Sequence, residues 1–264
     1  MKPVSIATFN VNSIRSRVEL IARWLEEKNP VDILCLQELK CEAEQFPAAP
    51  FEKLGYHLAI NGEKRYNGVA VCSKLPIDRV KTTFDNDVLD RQKRLIEVEI
   101  QGAVILNVYA PHGESDESDP KHFYKMAFYD VLTEYVKELT VHYKRVIVLG
   151  DMNVALEDID VYDPAFFQGR VGFLKSEKQK LRALLETGLT DCYRHRYPDT
   201  KAFTWWDYRT AGIWRDEGMR IDYILATDAV VQMCESIEVD LWTRRRRSPT
   251  PSDHAPLVGR LTGL

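Results

Sequence analysis

A run of aliphatic residues in the middle of the chain predicts a buried β-strand that ends in polar side chains. Val146–Leu149 holds four aliphatic residues, three of them β-branched, which is typical of a buried strand. Gly150 follows and permits a sharp turn or the close approach of another backbone. If the backbone stays extended, Asp151 and Asn153 point the same way, because side chains alternate along a strand. This strand end is therefore a candidate site, although Asp and Asn are also common turn formers.

The same pattern, an apolar run followed by polar residues, recurs elsewhere in the chain. It predicts strands at Val4–Phe9, Val31–Leu36 and Val104–Tyr109. The polar residues at the ends of these strands are Asn10, Asn12, Glu38 and Tyr109. Further strands are predicted at Tyr56–Ile60, Gly68–Ser73, Leu95–Ile100 and Arg220–Leu225, with a last one after Pro256. Phe203–Arg209 is predicted to be an aromatic loop or strand.

Helical periodicity predicts three helices between these strands. Ser13 is the expected cap of the first, whose apolar residues from Val18 to Leu25 recur at helical spacing. Lys121–Tyr143 is expected to be the longest helix, and Ser176–Thr187 a later one that Ser176 caps and Gly188 ends. Because strands and helices interleave without a linker or an internal repeat, we expect one α/β domain with mixed sheets over residues 1–264.

Composition narrows the classes of protein to consider. The 264 residues are 45% hydrophobic and 29% charged, which is ordinary for a globular chain. The net charge of −4 indicates that any contact with nucleic acid depends on local basic surface or bound metal. Five cysteines without a CxxC pair argue against a disulfide framework and structural zinc, and favour a reducing compartment. The first apolar run is too short for a signal peptide, and no window approaches the roughly 20 apolar residues of a membrane span.

The polar residues at strand ends suggest a particular chemistry. The candidate set is Asn10, Asn12, Glu38, Tyr109, Asp151, Asn153, Asp222, Asp253 and His254. Carboxylates and carboxamides without cysteine suit hard cations such as Mg²⁺ or Mn²⁺, and a histidine beside a carboxylate transfers protons near neutral pH. The chain has no Walker A loop, no GxGxxG after a strand and no GxSxG. We therefore predict metal-assisted hydrolysis of a phosphoester rather than nucleotide-driven or acyl transfer.

Each of these residues also has an ordinary structural interpretation. Glu38 could be a surface residue, Asp222 could face solvent on an edge strand, and His254 could satisfy a loop hydrogen bond. Tryptophans such as Trp205–Trp206 belong to the core more often than to a substrate site, and a basic run such as Arg244–Arg247 is usually a solvated face. These interpretations explain each residue singly but explain poorly why so many occur together.

Several segments of the chain resemble the exonuclease III family of AP endonucleases, within the endonuclease/exonuclease/phosphatase superfamily. The matching segments are Phe9–Arg15, Leu36–Lys40, Tyr66–Ala70, Asn107–Pro111, Gly150–Asn153, Phe203–Arg209, Arg220–Tyr223 and Ser252–Pro256. They occur in the family's order over almost the whole chain. The resemblance implies a DNase-like four-layer α/β sandwich, in which two mixed β-sheets pack face to face with helices outside.

The resemblance also implies which residues would hold the divalent metal. Glu38 would be the main ligand of Mg²⁺ or Mn²⁺, with Asn10 and Asp151 nearby. Asn153 would complete this group, and Asp253 would be a second metal ligand.

Catalytic roles follow from the resemblance in the same way. Asp151 would orient or deprotonate the attacking water, and Asn153 would hold that nucleophile and the phosphate. His254 would donate a hydrogen bond to the scissile phosphate, and Asp222 would fix the orientation of His254. Tyr109 would contact the phosphate or assist the leaving oxygen.

The resemblance implies five further positions that would bind substrate. Trp205, Met219 and Ile221 would line a tight apolar pocket that admits a sugar without a base and excludes a flipped normal nucleotide. Asn12 and His112 would lie at the phosphate, although Asn12 replaces an aspartate of some relatives and His112 replaces an amide of many.

The expected activity is that of a DNA-repair nuclease acting on double-stranded DNA. It would cut 5′ to an abasic site, leaving a 3′-hydroxyl, and would remove 3′ blocking groups or 3′ nucleotides. Basic residues in Lys175–Arg182 and Arg244–Arg247 would contact phosphates, and the Asp158–Gly172 loop would influence the balance of the two activities. We expect a monomer without membrane association, located in the cytoplasm with the nucleoid if the source is prokaryotic.

Two other functions are compatible with the same residues. One is hydrolysis of a different phosphoester by a phosphatase or RNA nuclease of the same superfamily. The other is a catalytically silent DNA-binding or scaffold protein that keeps the fold. The Phe203–Arg209 segment and the short chain favour DNA repair over the first, and the intact set of candidate residues argues against the second.

Overall fold

Two large β-sheets and one short hairpin form the framework of the computed structural model, which describes residues 2–264. The first seven strands are β1 (Val4–Asn10), β2 (Ile33–Gln37), β3 (His57–Asn61), β4 (Val69–Ser73), β5 (Arg79–Lys81), β6 (Leu95–Ile100) and β7 (Ala103–Tyr109). The strands that follow are β8 (Val146–Asp151), β9 (Thr190–Asp191), β10 (Trp205–Trp206), β11 (Gly218–Met219), β12 (Asp222–Ala226), β13 (Cys234–Val239) and β14 (Leu257–Leu261).

Helices of very different lengths connect the strands. The α-helices are α1 (Ile14–Glu27), α2 (Ala49–Lys53), α3 (Pro120–His142), α4 (Pro164–Phe167), α5 (Lys175–Leu185), α6 (Cys192–Arg196) and α7 (Asp228–Val231). Short 3₁₀ turns occur at Ala43–Gln45, Leu89–Arg91, Asp158–Asp160 and Gly212–Trp214. Within residues 2–264, no helix has both the length and the apolar character needed to cross a bilayer.

Both large sheets are mixed, as predicted. The first has the strand order β13-β14-β1-β2-β4-β3, and the second has the order β5-β6-β7-β8-β12-β9. The pairs β1–β2 and β7–β8 are parallel, and the other neighbouring pairs are antiparallel. The carboxyl ends of the parallel pair in each sheet therefore carry the polar residues that the sequence pattern singled out.

Alternating side chains bury both faces of each sheet. Ile147 and Leu149 of β8 join the apolar core between the two sheets, where they meet residues such as Ile6 of β1. Val146 and Val148 point the other way, into the core under α3 and α5. The opposite face of the first sheet packs against α1 and α2. The molecule is thus layered helix, sheet, sheet, helix, which confirms the predicted four-layer sandwich.

The predicted helices are confirmed, and Ser13 is the N-cap residue of α1, but the predicted Ser176 cap of α5 is wrong. Ser13 stands at the N-cap of α1, yet its hydroxyl bonds to Ser16 and not to a backbone N–H of the helix. Ser176 lies inside α5, where Leu174 is the N-cap and the carboxylate of Glu177 accepts from its backbone N–H. Gly188 lies beyond the end of α5 at Leu185. The side chain of Glu177, rather than that of Ser176, therefore caps the start of α5.

A buried cation next to the candidate site stabilises the loops around it. Arg220 is 1% exposed, and its Nε lies 2.8 Å from Asp160 Oδ1 while its Nη1 lies 2.7 Å from Asp191 Oδ2. Burial would raise the pKa of the Asp160 carboxyl, but the Arg220 charge outweighs it and lowers that pKa. These ion pairs fix the position of Arg220, which immediately precedes Ile221 and the start of β12.

Replacing Arg220 with Met should destabilise the protein by about 3 kcal/mol, because Asp191 loses its cation and Asp160 keeps only the ion pair with Arg194. The free energy of unfolding, measured with urea, checks this value. The matched control is Arg23→Ala, which removes a half-exposed ion pair with Glu27 on α1 and should cost no more than about 0.5 kcal/mol. Equal losses of unfolding free energy in the two variants would contradict the stabilising role of Arg220.

Candidate active site

The predicted polar residues meet at one edge of the two facing sheets. Asn10 ends β1 and Glu38 follows β2 in the first sheet, whereas Tyr109 ends β7 and Asp151 ends β8 in the second. Asp222 begins β12, and its register with β8 sets it directly opposite Asp151. The sandwich therefore brings side chains from distant parts of the chain to a single place.

The carboxamide of Asn10 lies between two carboxylates. Its Nδ2 donates to Glu38 Oε1 at 2.9 Å and to Asp151 Oδ2 at 2.8 Å, and its Oδ1 accepts from the backbone N–H of Asn12. Both hydrogens of the amide are thus used on acceptors. One ligand atom each from Glu38, Asp151 and His254 lie within 4.8 Å of one another, which makes these three residues a candidate metal cluster.

Asp151 is almost completely buried and its oxygens are well supplied with donors. Oδ1 accepts from the backbone N–H of Asn153 at 2.8 Å, and Oδ2 accepts from the Asn153 side chain at 3.2 Å. Burial raises the pKa of Asp151 to about 7, because the attraction of His254 only partly offsets the cost of charging a carboxyl out of water. This carboxyl can therefore take up or release a proton near neutral pH.

His254 and Asp222 form a buried pair beside Asp151. His254 Nδ1 lies 2.8 Å from Asp222 Oδ2, and its Nε2 lies 3.8 Å from Asp151 Oδ2. Burial would lower the pKa of His254, but Asp222 and Asp151 outweigh it and raise that pKa to about 10. The imidazole is therefore a cation whose Nδ1 donates to Asp222 and whose Nε2 carries a proton that it can donate to another acceptor. The alternative that Asp222 faces solvent on an edge strand is wrong, because β12 lies between β8 and β9 in the second sheet.

Thr204 holds Asp222 in place. Its Oγ1 accepts from the backbone N–H groups of Ile221 and Asp222, both at 3.1 Å, and it is completely buried. The side-chain atom Oδ1 of Asp222 is buried without a partner in the part of the chain that the structure describes. Sequence reasoning missed Thr204, although it lies within the Phe203–Arg209 segment that carried the family resemblance.

Glu38 is held by a lysine that was given no role in the sequence analysis. Lys40 Nζ lies 2.8 Å from Glu38 Oε2 and 2.5 Å from Asn12 Oδ1. Burial would raise the pKa of Glu38, but Lys40 and Asn10 outweigh it and lower that pKa. Glu38 is thus an anion, and its backbone adopts the left-handed region with φ of 53°, as does Asn153 with φ of 52°. Such strain is common where a side chain must be aimed at a site.

Tyr109 and His112 border the same site. Burial raises the pKa of the Tyr109 hydroxyl well above its usual range, and the nearby Glu38 charge adds to this effect. Tyr109 therefore stays protonated and can donate a hydrogen bond. His112 Nδ1 lies 3.3 Å from Asn153 Oδ1, and the Asn153 amide also donates to the carbonyl of Ala110 at 2.9 Å.

Asp253 lies apart from the metal cluster. Its Oδ1 accepts from Asn12 Nδ2 at 3.0 Å and its Oδ2 accepts from Trp205 Nε1 at 3.1 Å. Both carboxylate oxygens therefore already have donors within the protein. Asp253 fixes the orientation of the Trp205 ring in this structure, and a role as second metal ligand stays a prediction.

A cavity of about 730 Å³ opens above these groups. Trp205, Met219 and Ile221 line it, as the sequence predicted. The Asp158–Gly172 loop contributes a second aromatic group, which consists of Tyr162, Phe166 and Phe167. The cavity thus has polar, titratable groups on one side and an apolar wall on the other.

The basic segments Lys175–Arg182 and Arg244–Arg247 are less freely exposed than their charge suggested. Arg244 is only 5% exposed, and it lies against the backbone carbonyls of Asp253 and Trp206, so a solvated face is wrong for this residue. Arg245–Arg247 are exposed. In α5, Lys180 forms an ion pair with Asp130 and Arg182 forms one with Glu157. The sequence did not indicate either pair.

Comparisons with known proteins agree with this geometry. The pattern of the Endonuclease/Exonuclease/phosphatase family matches residues 7–254. Exodeoxyribonuclease III of Haemophilus influenzae is 32% identical over 261 residues, which cover 95% of this chain and 97% of the relative. A 3′ phosphatase from Neisseria, bound to a product DNA hairpin, is 36% identical with a TM-score of 0.91 and covers 98% of this chain and 99% of its own.

An AP endonuclease from Archaeoglobus fulgidus is similar to the same degree. It is 37% identical with a TM-score of 0.91, and the match covers 97% of this chain and 98% of the other. The resemblance inferred from the sequence motifs is confirmed. This chain belongs to the Endonuclease/Exonuclease/phosphatase family, in the branch that contains exodeoxyribonuclease III and the AP endonucleases.

Proposed function

We propose that this protein is a divalent-metal-dependent DNA-repair nuclease. It hydrolyses the phosphodiester 5′ to an abasic site in duplex DNA and removes 3′ blocking groups or 3′ nucleotides. The observation that carries this proposal is the cavity itself, in which Glu38, Asp151 and His254 face an apolar wall that includes Trp205. The exodeoxyribonuclease, 3′ phosphatase and AP endonuclease relatives support the same reaction class.

The donor atoms fit a hard divalent cation such as Mg²⁺ or Mn²⁺. Glu38 and Asp151 offer carboxylate oxygens, the amide groups of Asn10 and Asn153 hold these carboxylates in place, and the cluster contains no thiolate. A bound cation supplies positive charge that polarises the phosphate and lowers the pKa of water. Glu38 would be its main ligand because its carboxylate is ionised and the residue lines the cavity.

The protein's own groups divide the remaining tasks. Asp151, with a pKa of about 7, orients the attacking water and accepts its proton. The His254 imidazolium donates to a phosphate oxygen, where negative charge grows in the transition state. Asp222 keeps the ring oriented and charged. Tyr109 donates to the phosphate or to the leaving oxygen, since its hydroxyl stays protonated.

Asn153, Asn12 and His112 complete the set of residues that bind the substrate phosphate. The Asn153 amide bridges Asp151 and the Ala110 carbonyl, so that its position relative to the base is fixed. Asn12 and His112 line the same cavity and contact the phosphate. This arrangement holds the reacting groups close together, which is where much of the rate gain of such enzymes arises.

The apolar wall gives selectivity for damaged DNA. Trp205, Met219 and Ile221 form a pocket that a sugar without a base can enter, whereas a normal nucleotide must also lose its stacking and pairing to do so. Exposed arginines such as Arg245–Arg247 contact the DNA backbone, and binding therefore weakens as salt increases. An intact catalytic set argues against a silent DNA-binding protein.

Purified protein should cut a duplex that carries one tetrahydrofuran abasic analogue, on the 5′ side of the lesion and only when Mg²⁺ is present. Denaturing gels of a labelled strand, run with Mg²⁺ and with EDTA, measure this directly. A 3′-phosphate duplex in parallel tests the second activity. Binding without cutting at any metal concentration would refute the proposal and favour a scaffold.

Replacing His254 with Gln should lower kcat on the abasic duplex by about 10²–10³-fold, because the transition state loses a charged donor. The control is His195→Gln, since His195 is an exposed histidine of α6 outside the cavity. Steady-state kinetics give kcat, and circular dichroism checks the fold of both variants. Similar kcat values for the two variants would remove His254 from the mechanism.

Trp205→Ala should reduce the preference for abasic over undamaged duplex, since the pocket loses its largest apolar side. The ratio of kcat/KM on the two duplexes measures this preference. Two variants serve as controls. Trp205→Phe keeps an aromatic ring but loses the hydrogen bond to Asp253. Trp214→Ala removes a ring that is 62% exposed and lies outside the cavity. An unchanged ratio in Trp205→Ala would disprove the pocket.

A further inference from the structure

Lys125 of α3 is a completely buried cation that no part of the proposed mechanism uses. Lysine is almost never fully buried unless its charge is paired. Its Nζ donates to Glu177 Oε1 at 2.6 Å, to the carbonyl of Asn153 at 2.8 Å and to the carbonyl of His112 at 2.9 Å. All three hydrogens of the ammonium group therefore have an acceptor.

The three acceptors belong to three different segments that border the cavity. His112 lies in the loop after β7, Asn153 lies in the loop after β8, and Glu177 lies in the first turn of α5. The second oxygen of Glu177 accepts from the backbone N–H of Leu174 at 3.0 Å, just after the aromatic Asp158–Gly172 loop. One ion pair thus joins all three segments.

The neighbouring sequence is fitted to this lysine. Gly113 follows His112 with φ of 81°, and a Cβ at this position would lie 2.8 Å from Lys125 Cδ. Only glycine both tolerates this backbone conformation and leaves room for the lysine stem. The loop therefore lies against the stem of Lys125 and presents its carbonyl to the ammonium group.

Stability alone is a weak reason to keep such a pair. Both side chains are fully buried, and burial lowers the pKa of Lys125 although the Glu177 charge opposes it. Removing two charges from water is costly, and replacing a buried ion pair by apolar residues of similar size is often neutral or stabilising. A role in geometry explains better why an ammonium group lies here.

We infer that Lys125 and Glu177 are positioning residues, which hold the backbone of His112 and Asn153 so that both side chains keep their place beside Asp151. His112 Nδ1 lies 3.3 Å from Asn153 Oδ1, and this contact exists only while the two loops keep their spacing. The inference rests on the proposed function, since it assigns the pair to the same phosphodiester hydrolysis. Misplacing such groups by about 1 Å can cost on the order of 100-fold in rate.

The test is the double variant Lys125→Met with Glu177→Leu, which removes both charges and keeps the volume of the side chains. We expect kcat on the abasic duplex to fall by roughly 10- to 100-fold, with KM and the melting temperature close to those of the unmodified protein. A loss of kcat alone distinguishes positioning from a purely structural role, which would change the melting temperature instead.

The matched control is Lys137→Gln with Glu134→Gln. This ion pair also lies on α3, but both side chains are exposed and, among the described residues, neither side chain hydrogen-bonds to the loops after β7 and β8. Kinetics and melting temperature of the control should equal those of the unmodified protein.

A second double variant, Lys125→Gln with Glu177→Gln, keeps polar groups at both sites and serves if the apolar pair fails to fold. The same loss of kcat is expected, because glutamine is shorter and has fewer donors than lysine. Wild-type kcat in a folded double variant would overturn the inference alone. Absence of cutting by the unmodified protein would overturn the proposed function and this inference with it.

Discussion

The site depends on how the protein supplies hydrogen-bond donors to three neighbouring carboxyl groups, of which Asp151 and Asp222 are buried and Glu38 is partly buried. Glu38, Asp151 and Asp222 would each be costly to charge away from water. Asn10 donates to the first two and His254 pairs with the third, so that every carboxyl group meets at least one donor. These donors and acceptors come from β1, β2, β8, β12 and the loop before β14. The compensation therefore exists only when the two sheets are stacked, which links the chemistry of the site directly to folding.

Gly150 shows how closely strand packing and catalysis are connected. A Cβ at this position would lie 1.9 Å from the carbonyl oxygen of Val108, and φ is 137°, so that only glycine allows β7 and β8 to keep their spacing. The same parallel register sets Tyr109 beside Asp151. The glycine that the sequence suggested as a strand end is thus the residue that allows two catalytic candidates to stand side by side.

Much of the framework could be predicted because apolar runs and the polar residues that end them are local features. Val146–Leu149 and the candidates Asp151 and Asn153 are of this kind, and most long strands fell within a residue or two of their observed bounds. Other features depend on contacts across the fold. Thr190–Asp191 is too short to show a period and is a strand only because it pairs with β12. Lys125 fits an ordinary helix pattern, and nothing in its neighbourhood of the sequence indicates that its ammonium group reaches two distant carbonyls.

The wall and the reactive groups of the cavity come from different parts of the chain. The reactive groups stand on the two large sheets or in the loops attached to them, whereas most of the wall belongs to the small β10–β11 hairpin and the Asp158–Gly172 loop, both outside those sheets. Mutations in the hairpin or the loop can reshape what enters without altering the buried charges that fold and chemistry share. Such a division separates the residues that determine the shape of the cavity entrance from those that determine its charge.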